Sequence, residues 1–265
     1  MTQSVPILMY HAVADSPSAA TRRLSVTPRS LDEQIAFLVD HGFTGMTFAD
    51  LADAFETGRA LPERPVVLTF DDGYADFAEA AWPILRCYGF PATVFVTTGW
   101  IADAGPHAAG SPLDRMLNWS QIRELAVAGI EIGAHSHSHP QLDQLADVTL
   151  CEELRVGRAL LEENIGAPVR TLAYPFGYSS RRVRLAARAV GYRCAASVRN
   201  LRATPSDDLF MLPRLSIRRS TDQAAFAAIV TGSDGPVLRQ ERILTVGWAS
   251  VRRIRRAAKW VLNDA

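Results

Sequence analysis

Cysteine is scarce: Cys87, Cys151 and Cys194 are the only three in 265 residues, and they form no C-x-x-C pair. Three distant, odd-numbered thiols argue against a disulfide framework and fit a reducing compartment. An excess of charge is missing too, because 28 basic and 28 acidic residues cancel. Global attraction to nucleic acid is therefore not expected. No apolar run approaches the roughly 18 residues of a membrane-spanning helix. The opening Met-Thr-Gln-Ser-Val-Pro has no basic stretch followed by a long apolar one. It predicts no secretory leader and a cytoplasmic location.

What is present is an alternation of short apolar runs and helical periodicities. Residues 5–10 predict a strand that stops at His11, and residues 12–29 a surface loop. Ser30-Leu31-Asp32-Glu33 reads as a capping box opening a helix, with Leu31, Ile35, Leu38 and Val39 on one face. Further strands are expected over 43–48, 66–70, 92–98, 130–134, 171–174, 194–198 and 212–217. Helices are expected over 50–55, 76–88, 120–128, 150–164 and 181–190, and residues 99–117 read as an irregular insertion. Such alternation predicts parallel β/α architecture. His11, Asp71-Asp72, His135 and Tyr174-Pro175 all stand where a predicted strand ends. In a β/α barrel those ends share one face, so these residues are expected to share one pocket.

Two stretches carry chemistry. Residues 66–70 are apolar or β-branched and end in Asp71-Asp72-Gly73. Adjacent carboxylates repel, so they either cap the next helix or serve a cation or a base role. His135-Ser136-His137-Ser138-His139 holds three of the six histidines. His135 and His139, four apart, can present two imidazoles to one ion. One carboxylate with two imidazoles suits Zn²⁺ or another divalent transition metal such as Co²⁺. His137 is left out, because a third ligand from the same turn crowds the ion.

With these residues the sequence resembles the polysaccharide deacetylases, the NodB-homology group or carbohydrate esterase family four. Thr69-Phe70-Asp71-Asp72-Gly73 matches the first motif of that family, and His135 to His139 matches H-[S/T]-x-x-H. Tyr174-Pro175-Phe176-Gly177 resembles its third motif. The resemblance implies an α/β fold, a distorted, TIM-barrel-like (β/α)7 barrel in a single domain. That domain is expected over residues 1–235, with a C-terminal helical extension over 236–265. It also implies metal-dependent removal of acetyl groups, usually from N-acetylhexosamines of a glycan. Asp71 would be the general base, and Asp72, His135 and His139 the metal ligands. A backbone N–H near Tyr174 would help hold the oxyanion.

The chain departs from the common pattern twice. The family usually takes a general acid from a late Leu-x-His, but Leu215-Ser216-Ile217 stands there and no histidine follows His139. Met9-Tyr10-His11 resembles the N-terminal Tyr-His of a subgroup that includes poly-N-acetylglucosamine deacetylases, so His11 is the expected acid. Leu172-Ala173-Tyr174, just before the Pro-aromatic-Gly turn, offers no arginine; Arg214 of Pro213-Arg214-Leu215 is expected instead to hold Asp71 ionised.

The tail is locally basic. Leu244, Trp248, Val251, Ile254, Ala258 and Val261 follow helical spacing among Arg252, Arg253, Arg255, Arg256 and Lys259. Such a helix packs on its own domain or a second subunit, or lies through residues 239–262 on an anionic membrane near lipid-linked sugars. The substrate expected is an acetylated glycan or lipid-linked sugar. The competing readings are an O-acetyl esterase or another amidase on the same scaffold, and a catalytically silent carbohydrate-binding protein.

Overall fold

The computed structural model describes residues 4–233. The boundary drawn at 235 and the basic tail over 239–265 lie outside the described residues.

The strands arise where apolar and β-branched residues run together, and alternation decides their two faces. In chain order the elements are β1 (Ile7–Tyr10), α1 (Pro28–Asp40), β2 (Thr44–Met46), α2 (Phe48–Thr57) and β3 (Pro65–Phe70). Then come α3 (Trp82–Cys87), β4 (Thr93–Val96), α4 (Trp119–Val127), β5 (Glu131–Ala134) and α5 (Asp147–Ile165). The last are β6 (Thr171–Ala173), α6 (Arg181–Val190), β7 (Cys194–Val198), β8 (Leu212–Ser216) and α7 (Gln223–Thr231). All pairings between strands are parallel, and β1, β3, β4, β5, β6, β7 and β8 close into a ring. β2 pairs with β3 alone and stands outside it. The architecture is thus the seven-stranded β/α barrel that the family resemblance implies.

Two apolar layers hold it. Leu8, Val66, Leu68, Phe70, Val94 and Leu215 point outward and pack with Leu31, Ile35 and Leu38 of α1 and Leu154 and Leu161 of α5. Ile7, Val67, Phe95, Ala173 and Leu212 point inward and meet Phe48 and Leu51 of α2. α2 therefore plugs the N-terminal mouth of the barrel. Its first amides are satisfied from the barrel interior, Phe48 N–H donating to Thr93 Oγ1 and Ala49 N–H to Glu131, both at 2.9 Å. With that mouth sealed, the opposite face is left for the site.

Several boundaries differ from the sequence expectation. The Ser30 capping box does not form: α1 starts at Pro28, and Thr27 accepts from Ser30 N–H at 2.9 Å. Proline at the first helical position has the required φ and no N–H to orphan, so the helix nucleates upstream. α2 begins at Phe48 under the Thr47 cap rather than at Asp50. The helix expected over 76–88 opens as a wider π-type turn, Phe77–Ala81, before α3. Pro83 cannot donate to the preceding turn, which disfavours a regular α ladder there. Among the described residues no helix is long and apolar enough to cross a membrane.

Candidate active site

The C-terminal strand ends converge as the topology requires. Asp71 continues the inward alternation of Val67 and Thr69, and its N–H donates to Tyr10 carbonyl oxygen at 3.0 Å. A regular strand would then turn Asp72 outward. Instead Asp72 takes a left-handed φ of 74° and Gly73 one of 85°, which brings Asp72 toward the histidine loop. Asp72 Oδ1 lies 3.3 Å from His135 Nε2 and 3.3 Å from His139 Nε2. The ligand-type atoms of all three lie within 4.8 Å of one another.

The chemistry of this trio fits a cation. His135 Nδ1 donates to the Ala173 carbonyl at 2.8 Å, so its Nε2 presents a lone pair to Asp72. Asp72 Oδ1 is buried and finds no hydrogen-bond donor among the described residues. Lone pairs converging in a buried space repel unless a proton or a cation lies among them. The trio can therefore hold a divalent metal ion. Burial alone would raise the Asp72 carboxyl, but His135 and His139 outweigh it and hold the carboxyl well below its ordinary value. For His135, burial favours the neutral ring, yet Asp71 and Asp72 prevail and raise its pKa.

The loop that presents the histidines is strained. Ser136 and His139 have φ of 63° and 61°, and Phe176, across the site, 60°. With Asp72, these are four of the six non-glycine residues of positive φ among the described residues. Each costs about 1–3 kcal/mol and persists only where its surroundings dictate it. Here Ser136 Oγ accepts from His139 N–H at 3.1 Å, and His137 carbonyl from Gly99 N–H at 2.7 Å. His137 stands apart from the trio, its Nδ1 hydrogen-bonded with Thr98 Oγ1 at 2.9 Å. The insertion over 99–117 thus buttresses the loop, and its Trp100 ring lies 4.7 Å from the His139 ring.

Arg214 is fully buried and points into the barrel. Its Nη1 donates to Asp71 Oδ1 at 2.6 Å and to Thr69 Oγ1 at 3.1 Å, and its Nη2 to Asp71 Oδ2 at 2.7 Å. Burial alone would raise the Asp71 carboxyl; Arg214 and His135 outweigh it and keep the carboxylate ionised. His11, just beyond β1, has a buried Nδ1 without a hydrogen-bond partner among the described residues. Burial lowers its pKa, against an upward pull from Asp72 and Asp71.

Tyr174 requires a correction. Its N–H is committed to the Ala196 carbonyl at 3.2 Å and its hydroxyl to the Phe210 carbonyl at 2.9 Å. Tyr174 alternates outward into the helical layer, so it offers the site no free donor. Pro175 has no N–H, so the first amide of the turn beyond Tyr174 is that of Phe176. The turn is tight because Gly177, at φ 71°, runs against Val198, which a Cβ would meet at 2.4 Å. The Phe176 ring is 49% exposed and stands 4.7 Å from the His139 ring.

Sequence reasoning missed Thr69 as a partner of Arg214, Phe176 beside His139, and Glu153, which binds the histidine loop. Thr69 and Phe176 lie inside motifs already singled out. Glu153 lies in a helix with three other glutamates, Glu152, Glu162 and Glu163, and no spacing marks it.

Comparison with known proteins points to one family. The family described as polysaccharide deacetylase matches residues 58–195. The poly-β-1,6-N-acetyl-D-glucosamine N-deacetylase of Staphylococcus aureus is 26% identical over 229 residues, covering 83% of this chain and 76% of that protein. The protein of the same name from Escherichia coli is 34% identical over 139 residues, covering 50% of this chain but 20% of the larger protein. The structure of the Streptococcus pyogenes deacetylase PplD in complex with acetate superposes with a TM-score of 0.77 at 25% identity, covering 87% of this chain and 99% of that one.

Proposed function

Since this chain belongs to the polysaccharide deacetylase family, hydrolases acting on carbon–nitrogen bonds, we propose that it is a metal-dependent N-deacetylase of N-acetylglucosamine-type residues in a glycan. The observation that carries the reading is the trio Asp72, His135 and His139 beside a carboxylate that Arg214 keeps ionised. The names of the S. aureus and E. coli relatives favour a β-1,6-linked polymer as the substrate. Acetate is the acid product of deacetylation, and the S. pyogenes deacetylase is in complex with it.

Asp72, His135 and His139 would hold the ion, with Zn²⁺ the first choice and Co²⁺ a chemically similar alternative. A divalent ion held there supplies Lewis acidity toward the acetyl carbonyl and lowers the pKa of a water. Asp71 takes the proton of the attacking water, since it is ionised and aimed by two hydrogen bonds. The Phe176 N–H, rather than that of Tyr174, donates to the developing oxyanion. His11 gives a proton to the departing amine, its free Nδ1 lying in the field of Asp71 and Asp72.

The test is acetate release from poly-β-1,6-N-acetylglucosamine and chito-oligosaccharides, with Zn²⁺ or Co²⁺ supplied, for the wild type and Asp71→Asn. Release by the wild type, lost in the variant, is expected. No release from any N-acetylated glycan overturns the reading.

A further inference from the structure

Glu153 lies on α5, well outside the motifs, yet both of its carboxylate oxygens reach the histidine loop. Oε2 accepts from His137 N–H at 3.0 Å and Ser138 N–H at 2.8 Å, and Oε1 accepts from Ser138 Oγ at 2.5 Å. Those two amides are the ones between the left-handed residues Ser136 and His139. One turn further along α5, Gly157 lets the helix press on the loop: a Cβ there would fall 2.9 Å from the Ser136 carbonyl carbon and oxygen. The same helix thus supplies an anchor and, beside it, the clearance that the anchor needs.

We propose that Glu153 is the positioning residue that sets His139 against Asp72 and His135 for metal binding. The inference rests on the reading that these three side chains hold a divalent ion. Two successive amides donating to one carboxylate fix the peptide planes at 136–137 and 137–138. Those planes place the Cα atoms of His137 and Ser138, and His139, the next residue, is tied back to the same turn by its N–H to Ser136 Oγ at 3.1 Å. His135 does not depend on the anchor, because it sits at a strand end with Nδ1 held by Ala173. Without Glu153 the two N–H groups lose their acceptor, and the left-handed residues relax toward commoner backbone geometry. His139 Nε2 then leaves the trio, while Asp72 and His135 stay.

The experiment is Co²⁺ titration into the metal-stripped chain, followed by visible absorption, with Zn²⁺ measured by competition against a chromophoric chelator. Glu153→Ala is expected to weaken binding about 10–100-fold, the usual effect of removing a group that orients a metal ligand. The Co²⁺ bands should change with it, as one imidazole is lost. Glu153→Gln, which retains an acceptor oxygen for the amides, should fall between the wild type and Glu153→Ala. Ser138→Ala, which removes only the hydroxyl contact, should bind nearly as the wild type does. Wild-type affinity and bands in Glu153→Ala, even with a lowered Tm, would mean that Glu153 supports only the fold, and the proposal would be wrong. If Glu153→Ala does not fold, Glu153→Gln carries the test, and unchanged affinity and bands in it overturn the proposal. A wild type that takes up neither metal overturns the metal reading and this inference with it. Normal wild-type uptake with an indifferent Glu153 overturns this inference alone.

Discussion

Arg214 grips Asp71 through both terminal nitrogens, at 2.6 and 2.7 Å, although 143 residues separate them. Both side chains are buried, so the pair is stable only because the fork matches the carboxylate and Thr69 takes a further guanidinium N–H. Its effect on Asp71 is directional: burial pushes the carboxyl up, and Arg214 first among its neighbours pulls it below the ordinary value.

Replacing Arg214 with Met should remove the strongest downward pull on Asp71, leaving His135 and His11 against the upward push of burial. Activity requires the ionised base, so it is lost as pH falls through the Asp71 pKa. The acid limb of the kcat/KM profile should therefore move to higher pH in Arg214→Met. The variant should also lose about 3–5 kcal/mol of stability, because a buried charge is left unpaired. Urea unfolding and the pH–rate profile measure the two effects. An acid limb that stays in place would separate Arg214 from the base.

Asp71→Asn keeps the shape and removes the base. Deacetylation should fall about 10²–10⁴-fold, the range of a general base. Co²⁺ affinity should stay close to that of the wild type, since Asp72 is the carboxylate in the trio. Parallel loss of both would place Asp71 among the ligands.

His11→Ala should discriminate between leaving groups. An amine must leave protonated, whereas a nitrophenolate leaves unaided. Release from an N-acetylated glycan should fall steeply, and hydrolysis of p-nitrophenyl acetate should change little. Equal losses on both substrates would assign the acid elsewhere.

Metal uptake should stabilise the fold by mass action, by about 2.7 kcal/mol at a free ion concentration a hundred times Kd. A chelator should reverse both that rise in Tm and the activity. His139→Ala should abolish the rise, because only two of the three ligand side chains remain.

Asp76 should make the protein less stable as pH rises. It accepts from Val13 N–H at 2.9 Å, and burial, then Asp114 and Glu79, push its pKa up to about 7. The folded state therefore holds a proton that the unfolded chain releases near pH 4. Stability is lost as pH climbs from about 4 to 7, on the order of 4 kcal/mol from this one group. Asp76→Asn keeps an acceptor for Val13 and removes the titration. Its Tm relative to the wild type should rise across that interval and level off above it.

Much of this was legible in the chain. Asp71-Asp72-Gly73, the histidines at 135 and 139, and strand ends at His11 and Tyr174 are local patterns set by alternation, spacing and turn chemistry. They predicted parallel β/α architecture, the family resemblance implied a barrel with one shared face, and the ring of seven strands has both. Even Arg214 could be nominated, from an absence elsewhere. Helix starts were misjudged at Ser30 and Asp50, where a proline or threonine slightly upstream made a better beginning.

The adjacent carboxylates Asp71 and Asp72 divide the two kinds of knowledge. The order of Asp71 and Asp72 at a strand end, with glycine after them, is written in the sequence, because a β-branched run and a turn need only near neighbours. Which one meets a guanidinium and which one meets two imidazoles is decided by a left-handed φ at Asp72 and by the position of β8 in the ring. The same holds for Glu153, unremarkable in its helix until α5 lies against the histidine loop, and for Tyr174, whose N–H the adjacent strand consumes. Contacts between segments more than a hundred residues apart, such as Asp71 with Arg214, depend on how the barrel closes. Closure is a property of the register of all its strands together, and local residue preferences do not contain it.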